Sequence, residues 1–411
     1  MPIKELTVRR LNFLALCVYA FFVPFALLAF SALFERVLPM NDVLLYGYWL
    51  QQMQMGEPLF GISQDFVYPY PSLLPMWVAK VLGGPTGILV GWTTLVAILN
   101  TVAVGFLVNW GSGDRKAMLA ALFWNTYLLL LGPAGIGRID AISVALAVFG
   151  LVAFAKDRIA LSISLFTLGA WIKIWPVALA IGVFIADTRK RIAAYAASAV
   201  VLAVVLFACS AGANQSLFSF IATQSGRGIQ VESPIAMIWI WADKLGAHDA
   251  GIYYDKEIIT NQVYGQGVSI FAALMTPVML AAIAITILLA VRAAKSGASP
   301  KILFGYTSLT AVLDLIVFNK VGSPQFMAWL AVPVIALIIF GASRLWIPIT
   351  CLFLIAITTN LVYPIFYIDL MGLGDTSVTI LSLRNGLLIA MLFYANLKLS
   401  ATAKVKNPAK P

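Results

Sequence analysis

Six ionisable side chains recur at one level of an otherwise apolar chain. Asp42, Arg138, Asp140, Lys173, Lys320 and Arg384 each fall at or just inside the same end of a long apolar stretch. An ionisable group at membrane depth costs on the order of 2.5–3.5 kcal/mol on insertion scales, so each needs a partner or a purpose. Segments far apart in sequence that bring charges to one level imply a shared polar cavity opening to that side. Taken singly, each could instead snorkel or pair internally and so orient its helix.

Asp42 lies just past the first apolar stretch, with Tyr46, Tyr48 and Trp49 close behind it. Gly137-Arg138-Ile139-Asp140 sets a cation and an anion two residues apart at a helix start, where Asp140 could also serve as a cap. Lys173, between Trp171 and Trp175-Pro176, suits an anionic headgroup with indoles at the lipid boundary. Arg384 falls inside the last apolar stretch and needs an anion: Asp375, Asp369 or a ligand phosphate. Gly226-Arg227-Gly-Ile-Gln230-Val-Glu232-Ser suits a loop laying donors and acceptors over a site, and Val321-Gly-Ser323-Pro-Gln325 is a tight turn offering a hydroxyl and an amide. Asp314 falls away from this level and reads as a packed polar contact, and His248, the sole histidine, reads as a solvated loop residue.

The elements that position these groups follow from composition. With 62% hydrophobic and 11% charged residues over 411 positions, and mean hydropathy +0.95, the chain is an all-α polytopic membrane protein. A crossing needs roughly 20 apolar residues for a hydrocarbon core of about 30 Å. Residues 11–34 form the first crossing rather than a cleavable signal, because the run is long and lacks a small-residue cleavage site. Two short interfacial helices, 42–53 and 72–82, are expected in the first outer loop. Crossings follow at 88–108, 117–131, 141–155, a short pair within 159–186, 193–211, 268–291, 302–318, 326–339, 345–363 and 378–397, about 12 in all. The largest polar stretch is 212–267, and no internal repeat is visible.

The net charge of +10 reports topology. Eighteen of the 27 Lys and Arg fall on one side, beside only Glu5, Asp114, Asp157 and Asp187. This places both termini in the cytoplasm and the polar cavity outside, and makes anionic lipid headgroups rather than nucleic acid the partners of the basic face. Cys17, Cys209 and Cys351 stand apart in apolar segments with neither disulfide nor zinc spacing. No Walker A loop, GxGxxG, HExxH or GxSxG occurs, nor an Asp-x-Asp pair suited to a divalent metal with a nucleotide sugar. Chemistry at the outer face, remote from cytoplasmic nucleotides, would require a membrane-borne activated substrate.

Several motifs taken together resemble the integral-membrane GT-C glycosyltransferases, and within them glycosyltransferase family 87, the actinobacterial polyprenol-phosphate-mannose-dependent mannosyltransferase group. They are Asp42 with Tyr46, Gly56-Glu-Pro-Leu-Phe60 followed by Tyr68-Pro-Tyr-Pro71, Gly137-Arg-Ile-Asp140, Trp171-Ile-Lys173-Ile-Trp-Pro176, Arg227-Gly-Ile-Gln230-Val-Glu232-Ser, Lys320-Val-Gly-Ser-Pro-Gln325 and Leu383-Arg384-Asn385. They span most of the chain in the family's order. Many relatives have Tyr-Pro-Pro for Tyr-Pro-Tyr-Pro and Gly-Gln for Gly137-Arg138.

The resemblance implies a single GT-C domain over 1–400, with a cytoplasmic tail at 401–411. It also implies inverting transfer of a sugar from a polyprenyl phosphate to a lipid-linked or cell-envelope glycan at the extracytoplasmic face of the plasma membrane, without cofactor or metal. Mannose is the leading sugar and arabinofuranose the alternative. Asp42 would be the general base, a role typically worth about 10²–10⁴-fold. Arg384, Lys173, Arg138 or Lys320 would hold the lipid phosphate. Tyr46 and Trp49 would wall the sugar, and Asp140, Arg227, Gln230, Glu232, Ser323 and Gln325 would contact sugar or acceptor. A lipid-linked-sugar flippase or small-solute transporter is the rival reading, in which the same charges line a pathway.

Overall fold

The computed structural model describes residues 3–56, 59–213, 215–225 and 227–402. Glu57 and Pro58 of the first-loop motif, Gly226, and the tail lysines Lys404, Lys406 and Lys410 lie outside the described residues.

Continuous apolar sequence with few breakers gives long helices, because only intrasegment hydrogen bonding satisfies the backbone in lipid. The chain opens with α1 (Ile3–Ser31), then the short α2 (Asn41–Gln54) and α3 (Leu73–Gly83). The spans α4 (Ile88–Leu107) and α5 (Arg115–Leu131) follow, with α6 (Asp140–Ala155), α7 (Ile159–Ala170) and α8 (Val177–Ala186) shorter. Beyond α9 (Lys190–Ser210) the polar segment contains α10 (Ser219–Ser225), α11 (Met237–Lys244) and a hairpin of β1 (Gly251–Asp255) and β2 (Thr260–Tyr264). The bundle closes with α12 (Val268–Lys295), α13 (Pro300–Val317), α14 (Ala331–Phe340), α15 (Trp346–Asn360), α16 (Tyr367–Met371) and α17 (Asp375–Thr402).

Among the described residues, eight helices are long and apolar enough to cross a membrane, and four shorter apolar helical stretches accompany them. The fold is thus helical and polytopic. The hairpin is the exception, pairing Gly251 with Tyr264 through Asp255 with Thr260 in antiparallel register. Its alternation was too short and too polar to stand out beside the apolar runs.

The chain expected as one crossing at 326–339 begins as a 3-10 stretch, Pro324–Leu330, before α14. Pro324 starts it, and its seven residues are all buried among neighbouring helices. One large core joins α1, α4, α5, α6, α8, α13, α14 and α17. A second, smaller core belongs to the segment between α9 and α12, where Ile229, Val231, Trp239, Ile240 and Val263 pack against Val362, Leu370, Val378 and Leu381. That segment is therefore docked on the turn after α15, on α16 and on the start of α17 by its own apolar contacts. Away from that level, Thr286 of α12 donates to the Asp314 carboxylate of α13 at 2.6 Å, the packed polar contact expected of Asp314.

Candidate active site

Asp42 sits in the first turn of α2, and its carboxylate meets Arg138 Nε at 2.8 Å. Asp42 keeps a third of its side chain exposed, whereas Arg138 is nearly enclosed. Three more donors of Arg138 are spent: Nη1 donates to the carbonyls of Pro39 and Gly137 at 2.8 and 2.9 Å, and Nη2 to the Tyr363 hydroxyl at 3.2 Å. Burial alone would weaken this cation, but Asp42 and Tyr363 more than offset it. With four of its five N–H donors spent inside the protein, Arg138 is a fixed strut that aims Asp42. One Nη2 hydrogen is left, so the guanidinium serves chiefly to position the carboxylate, where the sequence offered it as a direct phosphate ligand.

Tyr46 also departs from expectation. Its ring is fully buried against Trp49 and Trp92, and its hydroxyl accepts from the Ile139 amide at 2.9 Å. A buried ring offers no face to a sugar, so Tyr46 braces the Arg138 turn instead. Trp49 packs against Phe66, Phe60 and Tyr68 and belongs to the same aromatic floor.

Asp140 does not cap its helix: no side-chain cap bond forms at the start of α6. Its Oδ1 accepts from Trp329 Nε1 at 2.8 Å, and that indole stacks on Trp175 at 5.5 Å with planes 7° apart. Trp175 in turn donates to Ser143 of α6 at 2.8 Å. Two indoles thus fix the first turn of α6. Asp140 Oδ2 is buried with no hydrogen-bond partner among the described residues, so its compensation is electrostatic, chiefly from Lys173.

Lys173 turns its ammonium over the rings of Tyr68 and Phe326, 4.8 and 6.0 Å from their centres, and lies within electrostatic range of Asp140, Arg227 and Asp42. Arg227 is coupled in the same way to Lys320, whose ammonium is pushed down by burial and then by that neighbouring guanidinium. Arg227 Nε is buried without a hydrogen-bond partner among the described residues. Tyr68 stands at the centre of the group. Burial, then Asp42 and Asp140, push its phenol far above the usual range, so at neutral pH it remains protonated. Its role was missed because the sequence offers it only as part of a proline motif.

Arg384 is fully buried and its partner is Glu232, not Asp375 or Asp369. Nη1 meets the Glu232 carboxylate at 3.1 Å, Nη2 also donates to the Glu232 carbonyl, and Nε and Nη2 reach Asn385 Oδ1 at 3.2 and 2.9 Å. Enclosing a charge this deeply costs several kcal/mol before partners repay it, so these bonds are obligatory. Asp375 pairs with Lys244 instead and remains exposed. Arg384 and Glu232 therefore clasp the polar segment between α9 and α12 to α17 and present nothing to a ligand, contrary to both expectations. Burial lifts Glu232 to about 7 even though Arg384 opposes the rise.

Gln230 ties the same segment to the 320–325 turn. Its amide donates to the Lys320 carbonyl at 2.9 Å, and its Oε1 accepts from the Gly322 amide at 3.1 Å and from Ser323 Oγ at 3.2 Å. Gln325 is buried close by in the 3-10 stretch. The structure thus brings Asp42, Arg138, Asp140, Lys173, Arg227 and Lys320 together, and makes Tyr46, Gln230, Glu232, Ser323 and Arg384 their supports. Tyr363 and Trp329 are the supports that sequence reasoning missed: Tyr363 had only a following proline to mark it, and Trp329 had no signal at all. Among the described residues, no group of three or more His, Cys, Asp or Glu is arranged to hold a metal ion.

The arrangement holds one carboxylate paired yet reachable, with Lys173, Arg227 and Lys320 in one electrostatic group beside it. It is the constellation for taking a proton at one point while accepting negative charge at another. No protein-family model matches the chain, and no curated protein matches it.

Proposed function

We propose that this chain is a GT-C type glycosyltransferase similar to family 87, transferring a sugar, mannose in the leading reading, from a polyprenyl phosphate to a lipid-linked or envelope glycan hydroxyl. In this reading the eight long and four short helices make 12 crossings, with both termini cytoplasmic and the site extracytoplasmic. The observation that carries it is the Asp42–Arg138 pair at 2.8 Å, one-third open on the Asp42 side and within electrostatic range of Lys173, which Arg227 neighbours in turn.

Asp42 takes the acceptor hydroxyl's proton as that oxygen attacks C1 of the sugar. The bond from C1 to the phosphate oxygen breaks, its electrons leave with the polyprenyl phosphate, and the anomeric centre inverts. Charge grows on the phosphate during this step, and fixed cations lower the barrier where charge develops. Lys173 and Arg227, with Lys320 behind them, take that role because Arg138 and Arg384 are already committed. Tyr68, protonated, can donate to an oxygen of donor or acceptor.

The test is to incubate purified protein with radiolabelled polyprenyl-phosphate mannose and a membrane lipid extract. Labelled glycolipid is the expected product. Passage of the lipid-linked sugar across vesicles without turnover would establish the transporter reading instead, and transfer from a polyprenyl-phosphate arabinose alone would reassign the sugar.

A further inference from the structure

A second feature lies at the opposite, basic end of the bundle. Higher up, α1 is pinned to its neighbours by polar ties: Asn100 Nδ2 donates to the Ala20 carbonyl at 2.8 Å and Asn125 Nδ2 to the Leu16 carbonyl at 3.3 Å. Towards the basic end from that level, α1 and α5 leave a groove of about 370 Å³ between them. Its walls are Asn12, Ala15, Leu16 and Tyr19 from α1 and Met118, Leu119 and Leu122 from α5, with Arg115 at its mouth.

Three observations fix what fills it. Apart from Asn12 and the Tyr19 hydroxyl, the walls are apolar and belong to two helices long and apolar enough to span a membrane, so lipid rather than water is the surrounding medium. Arg115 is exposed and makes no side-chain hydrogen bond or ion pair among the described residues. The neighbouring charges are used elsewhere: Asp114 caps α5 by accepting from the Ala117 amide at 2.9 Å, and Lys116 folds against Gly341. A cation at headgroup level over an apolar slot complements one occupant.

We propose that the groove between α1 and α5 is a binding site for an anionic phospholipid, with one acyl chain along the slot and the phosphate on Arg115. The site is independent of the catalytic reading and stands whether or not the protein transfers sugars. A bound lipid there would complete the packing of α1, whose span is only 22% buried by protein.

The experiment is photo-crosslinking of the full-length protein in nanodiscs with diazirine-tailed phosphatidylglycerol or phosphatidylcholine of matched chains. Phosphatidylglycerol adducts are expected within residues 12–19 and 115–122. Arg115→Ala should lower their yield about fivefold, the worth of one basic residue at an anionic surface, while leaving phosphatidylcholine adducts unchanged. Leu119→Trp, at a side chain 48% exposed and so tolerant of bulk, should lower both by filling the slot. Phosphatidylglycerol yields unchanged in either variant, or adducts spread evenly over the other spans, would overturn the assignment.

Discussion

Asp42 is the one carboxylate of the cluster that combines a fixed counter-ion with access, and its consequences are sharpest at the residue scale. Replacing Arg138 by lysine keeps the charge but loses the fork that reaches Asp42, two carbonyls and Tyr363 together. Transfer in Arg138→Lys is expected to fall about 10- to 100-fold with KM for the donor little changed, since the residue aims the base rather than binding phosphate; initial rates at varied donor separate the two. Arg227→Ala should do the reverse in part, raising donor KM as well as slowing turnover.

Much of this residue-level picture was legible beforehand. The charges were conspicuous because a polar group in apolar sequence announces itself, and all but Arg384 do share one cluster. What could not be read was which cations were already committed. Spending Arg138 on Pro39 and Tyr363, and Arg384 on Glu232, depends on segments 99 to 225 residues apart.

At the scale of elements, the polar segment between α9 and α12 is held by a buried ion pair and a close backbone crossing, and each makes a prediction. Arg384→Met leaves the Glu232 carboxylate enclosed without its partner, which should destabilise the protein by about 3–5 kcal/mol in thermal unfolding in detergent. Gly322 passes against the Glu232–Ser233 backbone so closely that a Cβ would lie 2.2 Å from the Ser233 amide nitrogen. Gly322→Ala must therefore pry the 320–325 turn from Gln230, and transfer should drop at least tenfold by loss of positioning.

The Glu232 carboxyl adds a pH dependence. Its folded value, about 7, lies above the ordinary carboxylate range, so between about pH 4.5 and 7 the folded state binds more protons than the unfolded one. This contribution to stability is full below about 4.5 and is lost as pH rises through 7. A melting temperature that falls across that window, and that loses the dependence in Glu232→Gln, is the expected result. The hairpin and the docking of its segment were not legible, because a two-stranded sheet of five residues per strand carries little periodicity and its core is shared with α16 and α17.

For the whole molecule, helix placement was the most legible part, since hydropathy and the backbone's need for internal hydrogen bonds leave few alternatives. The shorter helices α6, α7 and α8 come from the same physics: they carry their charges at breaks, where Asp140 and Lys173 sit, rather than through the apolar interior. In the proposed reading that one-sided distribution suits a transferase, because a transporter's polar groups must reach both faces.

The central claim is that Asp42 removes the acceptor proton in a sugar transfer from a polyprenyl phosphate. The most direct measurement compares purified wild-type protein with Asp42→Asn for labelled glycolipid formed from polyprenyl-phosphate mannose, with equal folding checked by circular dichroism and gel filtration. Turnover by the wild type and a rate at least about 100-fold lower in the asparagine variant are predicted. An asparagine variant as active as the wild type would contradict the account.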